Sequence, residues 1–138
     1  MRVAFGTDEA TPLTSAIVGR LTDLGHEVEV LAEGDLWPDV GRLVGEAVVS
    51  GRADRGIVCC WTGTGVSIAA NKVGGVRAAL CTDAETARGA RRWNDANVLA
   101  ISLRLASDAV VDEMLEAFLA TEPDADEAPT LARLDDVG

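Results

Sequence analysis

Ile57-Val58-Cys59-Cys60-Trp61-Thr62-Gly63-Thr64-Gly65-Val66-Ser67-Ile68-Ala69-Ala70-Asn71-Lys72 runs from an apolar stretch through a glycine-bearing loop into a segment of helical period. The first part reads as a buried strand and the last as a helix. Glycines let a backbone approach a ligand closely, and the helix start offers N–H groups without intrahelical partners and a partial positive charge. Such a loop can hold a phosphate or an enediolate oxygen. A cysteine in that field has its thiolate favoured and becomes a candidate base. The same residues also fit a tight strand–helix turn with two inert buried cysteines. The Gly-Lys-Ser/Thr ending of a Walker loop is absent.

Outward from this stretch, short apolar runs alternate with helix-period segments along the whole chain. Strands are expected at 2–6, 27–31, 56–60, 77–81 and 97–101, and helices at 12–24, 39–50, 66–73, 84–93 and 107–120. Thr11-Pro12 and Ser107 read as helix starts, and Gly25 and Gly51 as helix ends. The strands are too short and apolar for one wet face, which predicts an α/β fold with a five-stranded parallel sheet covered on both sides. Residues 1–120 read as one domain. Residues 121–138, rich in proline and acid at their start, read as an extended or mobile connector and a last short turn at 130–136, packing on the domain or on a partner subunit.

The bulk numbers narrow the function. With 48% apolar residues, 138 residues suffice for an independent core. A net charge of −11 argues against nucleic acid and against anionic membranes as partners. No apolar run approaches the roughly 20 residues a bilayer crossing needs. Cys59, Cys60 and Cys81 are an odd set with no disulfide framework, and Met1 leads straight into a strand without a secretory leader. A reducing cytoplasm is expected.

Ligands of open parallel sheets bind beyond the carboxyl ends of the strands. That rule selects Thr7-Asp8-Glu9, 34–39, 61–65, Thr82-Asp83 and 102–104; Trp93-Asn94-Asp95 joins them only if its loop folds back. A carboxylate at Asp8 could hold sugar hydroxyls or cap the helix near Thr11. His26 reads as a solvated turn residue, and Arg88, Arg91 and Arg92 as a solvated helix face.

Together the residues resemble the ribose-5-phosphate isomerase type B and galactose-6-phosphate isomerase family. The resemblance is carried by Gly6-Thr7-Asp8, Leu24-Gly25-His26-Glu27-Val28, Trp37-Pro38-Asp39, Gly51-Arg52-Ala53-Asp54-Arg55-Gly56-Ile57, Cys60 to Lys72, Val76-Arg77-Ala78-Ala79-Leu80-Cys81 and Asn94-Asp95-Ala96-Asn97-Val98-Leu99-Ala100. It implies a Rossmann-like three-layer αβα sandwich, and a homodimer or dimer of dimers with active sites at the subunit interface. It implies no metal and no organic cofactor. The activity implied is aldose–ketose isomerisation of a small sugar or sugar phosphate through an enediolate. Cys60 falls at the family's base, with Thr62 and Asn94 as further catalytic candidates. Asp8, Glu9, Trp61, Gly63, Thr64, Gly65, Ser67, Trp93, Arg104 and Arg133 are the substrate-binding candidates.

The departures matter as much. Glu9 and Trp93 stand where the family pattern has histidines, the second assisting ring opening. Trp61 stands where glycine is common, and Pro129 where a phosphate-binding arginine is usual. Two readings follow: an isomerase with an altered substrate, or a sugar-binding or regulatory homologue with impaired catalysis. The retained Cys60 beside an intact loop favours the isomerase.

Overall fold

The structure is a computed structural model and describes residues 1–137. Five strands form one parallel sheet in the order β2-β1-β3-β5-β4: β1 (Arg2–Thr7), β2 (Glu27–Glu33), β3 (Arg55–Cys60), β4 (Ala78–Leu80) and β5 (Val98–Ser102). The helices α1 (Pro12–Asp23), α2 (Trp37–Val49), α3 (Thr64–Asn71), α4 (Ala84–Asn94) and α5 (Asp108–Ala120) alternate with the strands, and a 3-10 turn (Ala125–Glu127) leads into α6 (Ala128–Leu134). This is the expected α/β architecture.

The side-chain period of two divides the core. Val3, Phe5, Ile57, Cys59, Leu99 and Ile101 pack with Ile17, Leu21, Met114, Leu115 and Phe118 on one face. Ala4, Val58, Cys60, Val98 and Ala100 pack with Val40, Val44, Val66 and Ala70 on the other. The two adjacent cysteines therefore face opposite layers. Burying a large side chain such as Phe118 or Leu115 contributes about 1.5–3 kcal/mol.

Local chemistry sets the helix starts. Thr11 accepts from the Thr14 backbone N–H while the Thr14 hydroxyl accepts from Thr11 N–H, a reciprocal cap on α1. Ser107 and Asp83 cap α5 and α4 by accepting from Val110 and Thr86. Gly25 and Gly51 end α1 and α2 at φ +89° and +83°.

Several expectations need correction. The outer strand β2 is not covered on both sides, because Glu27, Glu29, Val30 and Glu33 are exposed. At the other edge β4 is only three residues long. Its start is taken by Arg77, whose N–H donates to the Asn97 side chain, and its end by Cys81, whose N–H donates to Ala100. The last segment begins its helix at Ala128 rather than 130, with Pro129 in the first turn where its missing N–H costs nothing. The segment before it is not extended throughout but carries the 3-10 turn, and Asp124 N–H donates to Arg92. Gly138 of the expected extension lies outside the described residues. His26 is half-buried with Nδ1 3.0 Å from the amino terminus, and burial and that amine lower its pKa. Arg91 is not solvated at all: its side chain is 1% exposed. Among the described residues no helix is long and apolar enough to cross a membrane.

Candidate active site

The register of the three central strands assembles the first half of the site. Thr7 pairs with Cys59 and Cys60 with Ser102, so Asp8, the Trp61–Gly65 turn and Arg104 emerge side by side at the carboxyl edge. Asp8 N–H donates to Cys59 O at 3.2 Å. Leu103 N–H reaches Cys60 O at 3.0 Å, Arg104 N–H reaches Trp61 O at 2.9 Å, and the Ser102 hydroxyl donates to Trp61 O at 3.1 Å. The backbone that carries Cys60 and Trp61 is thereby tied to the end of β5.

Gly63 caps α3 in a left-handed conformation, φ +75°. A Cβ there would stand 2.6 Å from Leu80 Cδ1 and 2.9 Å from Ser102 N. At Gly65 a Cβ would meet the Trp37 indole at 2.9 Å. Both glycines are thus required by the packing of the loop, against β4 and β5 in one case and against Trp37 in the other. Sequence reasoning did not anticipate this contact with Trp37. The loop leaves the first N–H groups of α3 without intrahelical partners, and Ser67 N–H closes on Gly63 O at 3.3 Å. The Thr62 and Thr64 hydroxyls are 2.6 Å apart.

The carboxylates beside the loop are free of capping duty, since Thr11 performs it. The Thr7 hydroxyl donates to Glu9 O at 2.8 Å and folds the Asp8–Glu9 turn. Asp8 Oδ1 is buried and accepts no hydrogen bond from the described residues. Burial raises its pKa first, and the neighbouring Glu9 adds to the shift. A buried acceptor without a partner suits a ligand hydroxyl. Glu9 itself is exposed.

The cysteines separate clearly. Cys59 is fully buried and burial pushes its thiol far above the ordinary range. Cys81 is pushed up to about 11 by burial and by Asp83. Cys60, 5% exposed at the very end of β3, is the one that adjoins the loop. All three are free thiols.

Trp93 and Asn94 approach the site along the β4 edge, where they share a cavity with Leu80, the residue that stands against Gly63. Trp93 and Asn94 close α4, ahead of the start of β5. Asn94 borders two cavities along the β4 edge. One, of about 650 Å³, includes Leu80, Cys81 and Trp93; the other, of about 700 Å³, includes Lys72, Arg77 and Leu134. Arg133 lies on α6 beside the second. Both phenylalanines are buried, whereas Trp37, Trp61 and Trp93 are 44%, 54% and 53% exposed. Exposed large apolar side chains at loop ends mark surface awaiting contact.

Comparison with known proteins gives one answer. The family model described as Ribose/Galactose Isomerase matches residues 3–136. The chain is 36% identical to ribose-5-phosphate isomerase B of Escherichia coli over 128 residues, covering 88% of this chain and 85% of that protein. It is 34% identical to D-erythrulose-4-phosphate isomerase of Pectobacterium atrosepticum, covering 88% and 84%. The solved ribose-5-phosphate isomerase B of Clostridium thermocellum superposes with a TM-score of 0.91 at 36% identity, covering 99% of this chain and 97% of that one. The type B enzyme of Leishmania infantum gives 0.92 at 35%, covering 99% and 95%. With a parallel αβα fold, a cysteine at the head of a glycine loop and this likeness over nearly its whole length, the chain belongs to the ribose/galactose isomerase family and is an enzyme of the aldose–ketose isomerase class.

Proposed function

We propose that the protein interconverts a small aldose and its ketose by moving a proton through an enediolate, with Cys60 as the base. The observation that carries this reading is the carboxyl edge of the sheet, where β3 ends at Cys60 and runs into the Gly63 cap of α3, next to the strand that carries the partnerless oxygen of Asp8. The thiolate takes the proton from the carbon next to the sugar carbonyl. The electron pair moves onto the carbonyl oxygen, whose growing charge the loop N–H groups at 63–65 stabilise. Returning the proton to the former carbonyl carbon gives the isomer. Thr62, paired with Thr64, passes the hydroxyl proton between the two oxygens. Asp8 accepts from sugar hydroxyls, and Trp61 and Ser67, on the loop and the first turns of α3, flank the bound sugar.

Asn94, Trp93 and Arg133 enter from a second copy of the chain. In one protomer the exposed Trp61, Ile68 and Leu80 flank the loop with nothing over them. The protein is therefore expected to be at least a homodimer. Sedimentation at micromolar concentration should show this; a monomer would contradict the assembly of the site.

Pro129, where the resemblance leads one to expect an arginine, weighs against a tightly held phosphate, whereas the exposed Glu9 is screened by solvent. Asp8 stands partly buried beside the loop, and Arg104 and Arg133 are the cations left to meet a phosphate. The protein is expected to bind ribose 5-phosphate no more than a few-fold better than ribose at matched ionic strength. Glu9→His combined with Trp93→His should raise turnover of ribose 5-phosphate, by roughly 10²-fold if an acid–base group is restored. Strong phosphate-dependent binding by the unmodified protein would refute this part of the reading.

A further inference from the structure

We infer that Asp95, clamped between Arg77 and Arg91, is a positioning residue that fixes Asn94 for the reaction. The inference rests on the proposed isomerase, with Asn94 entering its site to help hold the enediolate oxygen, and it is drawn from the turn that ends α4. Asp95 is the one non-glycine among the described residues with positive φ, at +46°. Left-handed backbone disfavours most side chains, and aspartate is among the few that accept it. A glycine would meet the backbone demand alone. What the carboxylate adds is a pair of charged contacts: Arg77 Nη2 donates to Oδ2 at 3.1 Å and Arg91 Nη1 to Oδ1 at 2.9 Å.

The same arginines hold the backbone on both sides of the turn. Arg77 Nε donates to Asp95 O at 2.7 Å, and Arg91 Nη1 donates to Ala96 O at 2.5 Å. Asp95 N–H and Ala96 N–H return to Arg91 O and Ala90 O. Arg91 is anchored in turn, with Nε donating to Thr121 O and its guanidinium lying 5.8 Å over Phe118. Residues ahead of β4, at the end of α4 and after α5 therefore converge on three consecutive peptides. Asn94 immediately precedes them and stands where the two β4-edge cavities meet. Asn94 makes no side-chain hydrogen bond to the described residues, so the clamp holds it through the Cα from which its side chain extends. A charge-assisted clamp of this kind keeps a reacting group within the narrow geometry catalysis needs.

Arg77→Gln is the discriminating variant, because it opens one side of the clamp and leaves the buried Arg91–Asp95 pair intact. It should lower kcat for the sugar the wild type converts on the order of tenfold. KM should stay within about twofold, with melting temperature nearly unchanged. Arg77→Lys should recover part of the loss, since an ammonium reaches the carboxylate but not both acceptors at once. Nitrogen-15 relaxation at the Asn94 amide gives a readout independent of turnover. Its order parameter should be near ~0.85 in the wild type and fall below ~0.6 in Arg77→Gln. An Asn94 amide equally rigid in both proteins overturns the inference, and so does unchanged kcat or a change confined to KM. A wild type that converts no sugar refutes the proposed function instead, and the relaxation comparison alone then decides the clamp.

Discussion

Gly63→Ala is expected to destabilise the protein by about 2–5 kcal/mol and to remove activity with the loop. Two independent costs add. The residue sits at φ +75°, where an L side chain pays roughly 1–2 kcal/mol. Its Cβ would also stand 2.6 Å from Leu80 Cδ1, 2.9 Å from Ser102 N and 3.0 Å from Ile101 C. Leu80 can turn aside. Ser102 and Ile101 contribute backbone atoms of β5, a fully buried strand paired on both sides, and cannot yield without disturbing the sheet. Overpacking of this kind costs about 1–3 kcal/mol. Thermal or urea unfolding measures the loss, and Leu80→Ala added to Gly63→Ala should restore only part of it. A Gly63→Ala protein with wild-type melting would show that the loop is laxer than its packing indicates.

Cys60→Ala is expected to cut proton transfer by at least 10²–10⁴-fold, roughly the usual worth of an acid–base group, with little effect on folding. The side chain lost is small and sits at the end of β3. Cys59→Ala is the matched control. That thiol lies on the opposite face of the same strand, fully buried, and burial holds it protonated. Its removal should lower stability through a small cavity and leave proton transfer intact. Comparable loss from both substitutions would mean that the effect is structural.

Much of the fold is legible in the residues because local and global signals agree. Thr11-Pro12, Gly25, Gly51 and Ser107 mark helix ends by chemistry that needs no tertiary context, and all four do so in the structure. The apolar alternation that places Ile57 and Cys59 on one layer and Val58 and Cys60 on the other is equally local. What escapes depends on distant partners. Helix α3 starts two residues earlier than its apolar period suggests because Gly63 turns the chain at once. β4 is short because Asn97 and Ala100 set its ends. Pro129 reads as the end of the connector but sits in the first turn of a helix.

The candidate site divides the same way. Asp8, Cys60, the glycine loop and Arg104 follow from strand ends, where a parallel sheet gathers its ligand-binding residues. Trp93, Asn94 and Arg133 carry no local signal for where they act, since their meeting with Cys60 depends on a second chain in the reading proposed here. Arg91 illustrates the limit of reading charge as surface. By sequence it is one of three solvated arginines, yet it is buried against Asp95, Thr121 and Phe118. Its spacing of four from Asp95 is the one local hint, because residues i and i+4 of a helix are neighbours.

Isotope exchange tests proton transfer at a sugar carbon by Cys60, whichever sugar the enzyme prefers. The wild type, incubated in deuterium oxide with a panel of free and phosphorylated aldoses and ketoses, should place deuterium at C1 or C2 of at least one of them. Cys60→Ala should place none, while Cys59→Ala should behave as the wild type. No incorporation into any sugar of the panel by a folded, dimeric wild type, or equal incorporation by Cys60→Ala, would contradict the account.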